Sequence, residues 1–98
     1  MYVDSHQHFW KLSRGDYSWM TPDMKALYKD FFPEDLEPLI KQKNITKTVI
    51  VQAADTVAET EFTLSLASKY EFIAGVVCWV DLDSKNSKDD IYKLCENK

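Results

Sequence analysis

Two stretches, "KTVIVQAA" and "FIAGVVCWV", are uninterrupted apolar runs rich in β-branched residues, with no polar residue at alternate positions along most of their length. A strand that shows water one face alternates polar and apolar residues. One that does not alternate is covered on both faces, which is the condition of a strand in a parallel sheet. Parallel neighbours cannot be joined by a hairpin, so a crossover must lie between the runs, and "DTVAETEFTLSLASKY" has helical spacing. With a shorter strand signal, "YVD", near the start, the order is strand, long loop, helix, strand, helix, strand, helix. The expected fold class is α/β with parallel strands joined by right-handed βαβ crossovers. The expected strands lie near 2–5, 47–53 and 72–80, and the helices near 33–43, 57–70 and 88–96.

The first helix is marked by Leu36, Leu39 and Ile40 at i, i+3, i+4, by acids in its first turn, and by Lys41 and Lys43 in its last. Asn44 suits the left-handed position that closes it. Pro38 removes a helical donor, so the regular part is expected to begin later than Pro33 or to open with a looser turn. In the second helix Thr56 and Glu59 form a T-x-x-E capping box, and Ala58, Phe62, Leu66 and Tyr70 make an i, i+4 stripe expected to face the core. The third has Ser87 as its cap, with Ile91, Leu94 and Cys95 facing inward. Residues 9–32 read as a long, aromatic-rich loop, of the length that usually carries function.

Charge and composition exclude several classes. The net charge of −4 and the absence of a basic stripe argue against a nucleic-acid partner. No apolar run reaches the ~18 residues a membrane crossing needs, and no targeting segment opens the chain. A soluble cytoplasmic protein is the expectation. Cys78 and Cys95 have neither CxxC spacing nor further partners, so both read as reduced packing residues.

Both histidines of the chain fall in "DSHQHFW". Residues two apart on a strand point the same way, so His6 and His8 project together with Gln7 turned aside. Two imidazoles on one side can bind one metal ion, and the carboxyl end of a parallel strand is where ligands gather in such folds. The competing reading is two histidines without a ligand. Asp4 either orients a histidine from behind or ends the strand.

Together, "DSHQHFW", "RGDYSWM", "FFPEDLEPLI", "TVIVQAADTVAET" and "FIAGVVCWVDL" resemble the N-terminal part of the amidohydrolase-related lactonase family of the amidohydrolase superfamily. The resemblance covers nearly all of residues 2–83, and Cys78 departs from it where similar sequences often carry glycine. It implies the first three βα units of a TIM (β/α)8 barrel, which needs ~250 residues, so the 98 residues read as a single partial barrel domain. The implied activity is metal-assisted opening of a sugar-acid lactone. His6 and His8 would be metal ligands to one divalent ion, zinc or manganese, although some members of the family do without a metal.

In related enzymes the remaining ligands and the catalytic aspartate come from later strands, so the catalytic residues are not expected among these residues. The chain alone is expected to be inactive. By barrel geometry the long loop overlies the site, which makes Trp10, Arg14, Tyr17 and Trp19 candidates to stack on a sugar or hold a carboxylate, against a reading in which the aromatics plug the barrel mouth and Arg14 pairs with Asp16. Gln52 and Asp55 after the second strand, and Trp79 and Asp81 after the third, fall at the same edge, either lining the pocket or capping loops; Gln52 and Trp79 are the substrate candidates among them. The alternatives to a lactonase are a TatD-like metal-dependent nuclease and a non-catalytic assembly module. Three strands without the rest of a barrel leave two open edges, through which self-association is expected.

Overall fold

A computed structural model describes residues 2–95. Its three strands are β1 (Tyr2–Gln7), β2 (Ile45–Val51) and β3 (Ile73–Val77). They form one sheet in the order β1-β2-β3, parallel throughout. Three α-helices alternate with them: α1 (Pro33–Gln42), α2 (Val57–Lys69) and α3 (Ser87–Cys95). Sequential strands lying side by side, each reached through a helix, are the local topology of a βα-barrel sector.

The covered face of the sheet is set by β2, where Thr48 and Ile50 are fully buried. Ile50 packs with Phe9, Ile40, Phe72 and Ile73, and Leu36 of α1 and Leu66 and Ala67 of α2 close over the cluster. Burying a side chain of that size contributes about 1.5 to 3 kcal/mol. Gln7 of β1 also turns to this face, where its side-chain amide donates to the Thr48 hydroxyl at 3.3 Å. The strand's period of two therefore sends His6 and His8 to the opposite, open face.

Several elements differ from the sequence reading. Strand β1 runs to Gln7 rather than ending near residue 5, because after a shift of register beyond Asp4, Gln7 still pairs with Ile50. Strand β3 stops at Val77 rather than near 80. Helix α1 starts at Pro33 and continues through Pro38; the Asp35 carboxylate accepts the Phe32 N–H at 2.9 Å and secures the start. Asn44 does adopt the left-handed conformation, with φ 58°.

The fully buried side of α2 is Glu59, Thr60 and Thr63, and of the expected apolar stripe Leu66 and Tyr70 pack against the core cluster. Ala58 is exposed, and Phe62 lies 4.8 Å beneath the Arg14 guanidinium. Ser87 is the first residue of α3, which has no buried residue; Ile91 and both cysteines are exposed.

The long loop is closed on itself. Trp10 and Phe31 form a two-way backbone bridge, and a 3-10 turn at Leu12–Arg14 ends on Gly15, whose φ of 75° favours glycine. Trp10, Tyr17, Met20 and Ala54 form a second core under it. Among the described residues no helix is long and apolar enough to cross a membrane.

Candidate functional site

The imidazoles of His6 and His8 meet. Their ring centroids lie 5.1 Å apart with planes at 81°, an edge-to-face approach. His8 is also oriented from behind, because its Nδ1 lies 2.8 Å from the carbonyl oxygen of Val51 at the end of β2. A carbonyl only accepts, so Nδ1 carries the proton and Nε2 presents its lone pair outward. This is the arrangement in which histidine serves as a metal ligand, with one nitrogen fixed by a backbone acceptor and the other free.

The carboxylate of Asp4 accepts the backbone N–H of His6 at 3.1 Å, so its contact with the pair runs through the strand backbone. Two neutral imidazoles fit two coordination positions of a divalent ion. No group of three or more His, Cys, Asp or Glu able to hold a metal exists among the described residues.

The ends of β2 and β3 bring further residues to the same rim. The N–H of Gln52 donates to Val77 O at 2.9 Å, so Gln52 begins where the two strands part. One residue later, Ala53 O accepts the indole N–H of Trp19 at 2.8 Å. Trp19 is 43% exposed and stands edge-on to Trp10 at 5.6 Å. Trp79, two residues beyond β3, has both its backbone groups bound by the hydroxyl of Thr60.

Of the four loop residues expected to meet substrate, three are turned into the protein. Trp10 is buried and spends its indole N–H on the carbonyls of Leu27 (3.2 Å) and Lys29 (2.7 Å). Arg14 pairs with Asp16 at 2.7 Å, and also with Glu59 at 3.0 Å. Buried Tyr17 donates its hydroxyl to Glu59 Oε1 at 2.9 Å and accepts from Arg14 at 3.1 Å. These three build the loop, and Trp19 alone of the four remains on its open surface. Of the acids noted at the rim, Asp81 accepts the N–H of Asp83 at 3.1 Å, which is the loop-capping role.

Glu59 is the residue sequence reasoning missed. In a full capping box its carboxylate would return to the cap N–H. Instead Thr56 Oγ1 accepts Glu59 N–H at 3.0 Å, while the carboxylate takes Ala53 N–H at 2.8 Å along with Arg14 and Tyr17. Its companions Thr60 and Thr63 on the same helical side, opposite an Arg-Gly-Asp-Tyr loop, were the available signal.

Burial pushes the Tyr17 phenol up to about 12; the Arg14 hydrogen bond opposes this and the Glu59 carboxylate adds to it. The folded state thus prefers neutral Tyr17. Its stabilisation is complete below the ordinary phenol value near 10 and is lost as pH climbs through about 12. Tyr17→Phe is expected to remove the latest tyrosine ionisation seen by ultraviolet difference absorbance. It should also flatten the alkaline loss of stability by roughly 2 to 3 kcal/mol.

The chain is similar to known proteins along nearly all of its length. An amidohydrolase family model matches residues 3–97. The chain is 41% identical over 95 residues to an L-fucono-1,5-lactonase from Burkholderia ambifaria, covering 97% of this chain and 33% of that protein. It is 41% identical over 80 residues to an L-fucono-1,5-lactonase from Burkholderia multivorans, covering 82% and 27%. A crystal structure of an amidohydrolase from Burkholderia multivorans with bound zinc superposes with a TM-score of 0.87 at 35% identity, over 95% of this chain and 33% of the other. The chain spans about a third of the length of the curated relatives it matches. A histidine pair at the carboxyl rim of a first parallel strand, in a match that runs almost end to end, gives one assignment: the chain belongs to the amidohydrolase family.

Proposed function

We propose that residues 1–98 form the first three βα units of a lactone-hydrolysing barrel, and that His6 and His8 are two of its metal ligands. The observation that carries the reading is the approach of the two rings to each other at the strand end, with His8 fixed through Nδ1 to Val51 O so that Nε2 is left without that bond. The similarity to two L-fucono-1,5-lactonases supports a sugar-acid lactone as substrate, and the zinc-bound amidohydrolase supports a divalent ion. When bound, such an ion supplies Lewis-acid polarisation at the lactone carbonyl. The chain's own contribution is to hold two neutral imidazoles in place. Exposed Trp19 would offer an aromatic face to the sugar ring, with Gln52 and Trp79 completing this side of the pocket. The carboxylate that moves the proton would come from strands beyond these three.

The test is a chimaera in which residues 1–98 replace the matching third of the Burkholderia ambifaria lactonase. The chimaera should open L-fucono-1,5-lactone in the presence of zinc, and the 98-residue chain alone should not. A folded chimaera without turnover would contradict the reading.

The same geometry supports self-association of the isolated chain. Strands β1 and β3 are both sheet edges, and Tyr2, Val3 and Val77 on them are exposed. Sedimentation velocity should show association that grows with concentration, and a single monomeric boundary at all concentrations would refute it.

A further inference from the structure

The first turn of α2 touches all three segments that follow the strands. Thr56 donates its hydroxyl to Asp16 at 2.6 Å in the loop after β1. Glu59 accepts from Arg14 (3.0 Å) and Tyr17 (2.9 Å) in that loop through Oε1, and from Ala53 N–H (2.8 Å) after β2 through Oε2. Thr60 donates to Trp79 O at 2.7 Å and accepts Trp79 N–H at 3.1 Å, after β3. Glu59 and Thr60 are both fully buried, and neighbours on a helix point about 100° apart, so each reaches a different segment.

Helix capping does not explain these contacts. The cap needs only Glu59 N–H on Thr56 Oγ1, which leaves the carboxylate free for other work. A threonine inside a helix ordinarily bonds the carbonyl a turn behind, as Thr63 does to Glu59 O and Thr60 O. Thr60 instead spends both its donor and its acceptor on the backbone of a single rim residue.

We propose that Glu59 and Thr60 are positioning residues for the rim of the site: Glu59 ties the loop bearing Trp19 to the segment bearing Gln52, and Thr60 fixes Trp79. One helical turn thereby sets where the groups around the histidine pair stand relative to each other. The bearing on lactone binding rests on the function proposed above, whereas the positioning itself does not.

The tryptophans make this directly observable, since the chain has three, Trp10, Trp19 and Trp79, and all lie in these segments. The 98-residue chain is labelled with 5-fluorotryptophan, and each fluorine NMR line is assigned by single Trp→Phe changes. Glu59→Gln puts a donor NH2 in place of one carboxylate oxygen. It should displace or split the Trp10 and Trp19 lines and leave Trp79 in place. Thr60→Val should move the Trp79 line alone, and Thr60→Ser, which keeps the hydroxyl, should return it to the parental position.

An unmoved Trp79 line in Thr60→Val, or unmoved Trp10 and Trp19 lines in Glu59→Gln, overturns the assignment. So does equal disturbance of all three lines in both variants, which marks general loosening of the fold. Turnover is not measured, so an inactive chimaera would leave this result standing.

Discussion

Glu59→Ala should cost the chain about 3 kcal/mol of stability, read as a lower midpoint in urea unfolding followed by circular dichroism. The carboxylate is wholly buried and satisfies three donors: Arg14 Nη1, the Tyr17 hydroxyl and Ala53 N–H. Alanine leaves these donors without that acceptor in a space closed to water, where an unmet polar group costs about 1 to 3 kcal/mol. Arg14 keeps Asp16 as a counter-ion, so the loss falls short of that for a wholly unpaired buried charge. Small domains have only about 5 to 15 kcal/mol in total, so the effect should be plain in a chain that is one third of its relatives' length. The double variant Arg14→Met/Glu59→Ala should lose less than the sum of the single losses, because the two share one network. A loss below about 0.5 kcal/mol, the range of ordinary surface substitutions, would show that the network does not hold the loop.

The second large effect concerns the histidine pair. Each imidazole is one of two protein ligands offered here, so His6→Ala or His8→Ala should each weaken cobalt or zinc binding to the chain by at least about 10-fold to 100-fold. That is the loss produced by disturbing even the groups behind a ligand. Trp19→Phe, a change at the same rim but outside the pair, should leave affinity unchanged. Cobalt titration followed by visible absorbance reads all three variants, and equal affinity in wild type and His6→Ala would remove the pair from metal binding.

Much of the fold is legible because parallel strands leave a strong pattern. The unbroken apolar run of β2 marks a parallel strand, and Ile50 at its centre is fully buried, while Val49 and Val51 on the other face of this three-stranded sheet are only half-buried. The left-handed turn at Asn44 was equally readable, since few residues other than glycine accept that conformation. The histidine spacing predicted rings on a common side, and they meet.

What was not legible depended on long-range polar contacts. Trp10, Arg14 and Tyr17 have the chemistry of sugar binding, but their partners are Leu27, Lys29 and Glu59, and only the closed loop brings those together. The α2 stripe holds at Leu66 and Tyr70, which pack on the core, but not at exposed Ala58, because the first turns bury a polar side and an apolar period cannot report a glutamate and two threonines that find partners. Strand β3 ends early for a related reason: the apolar letters run on to Val80, but Thr60 takes the backbone of Trp79 out of the ladder. Between the two readings of Asp4, behind a ring or at the strand end, the sequence does not choose, and its carboxylate meets the backbone N–H of His6 two residues along the same strand.

If His6 and His8 act as one chelating unit with His8 oriented by Val51, zinc must reach both rings at once and leave Nδ1 of His8 on its carbonyl. Long-range 1H–15N NMR of the imidazoles during a zinc titration tests it most directly, because it distinguishes the two nitrogens of each ring. One equivalent of zinc should shift both histidines together, with Nε2 of His8 changing from a free to a metal-bound nitrogen while its Nδ1 keeps the proton. Independent saturation of the two rings, or zinc on Nδ1 of His8, would mean that the pair does not chelate.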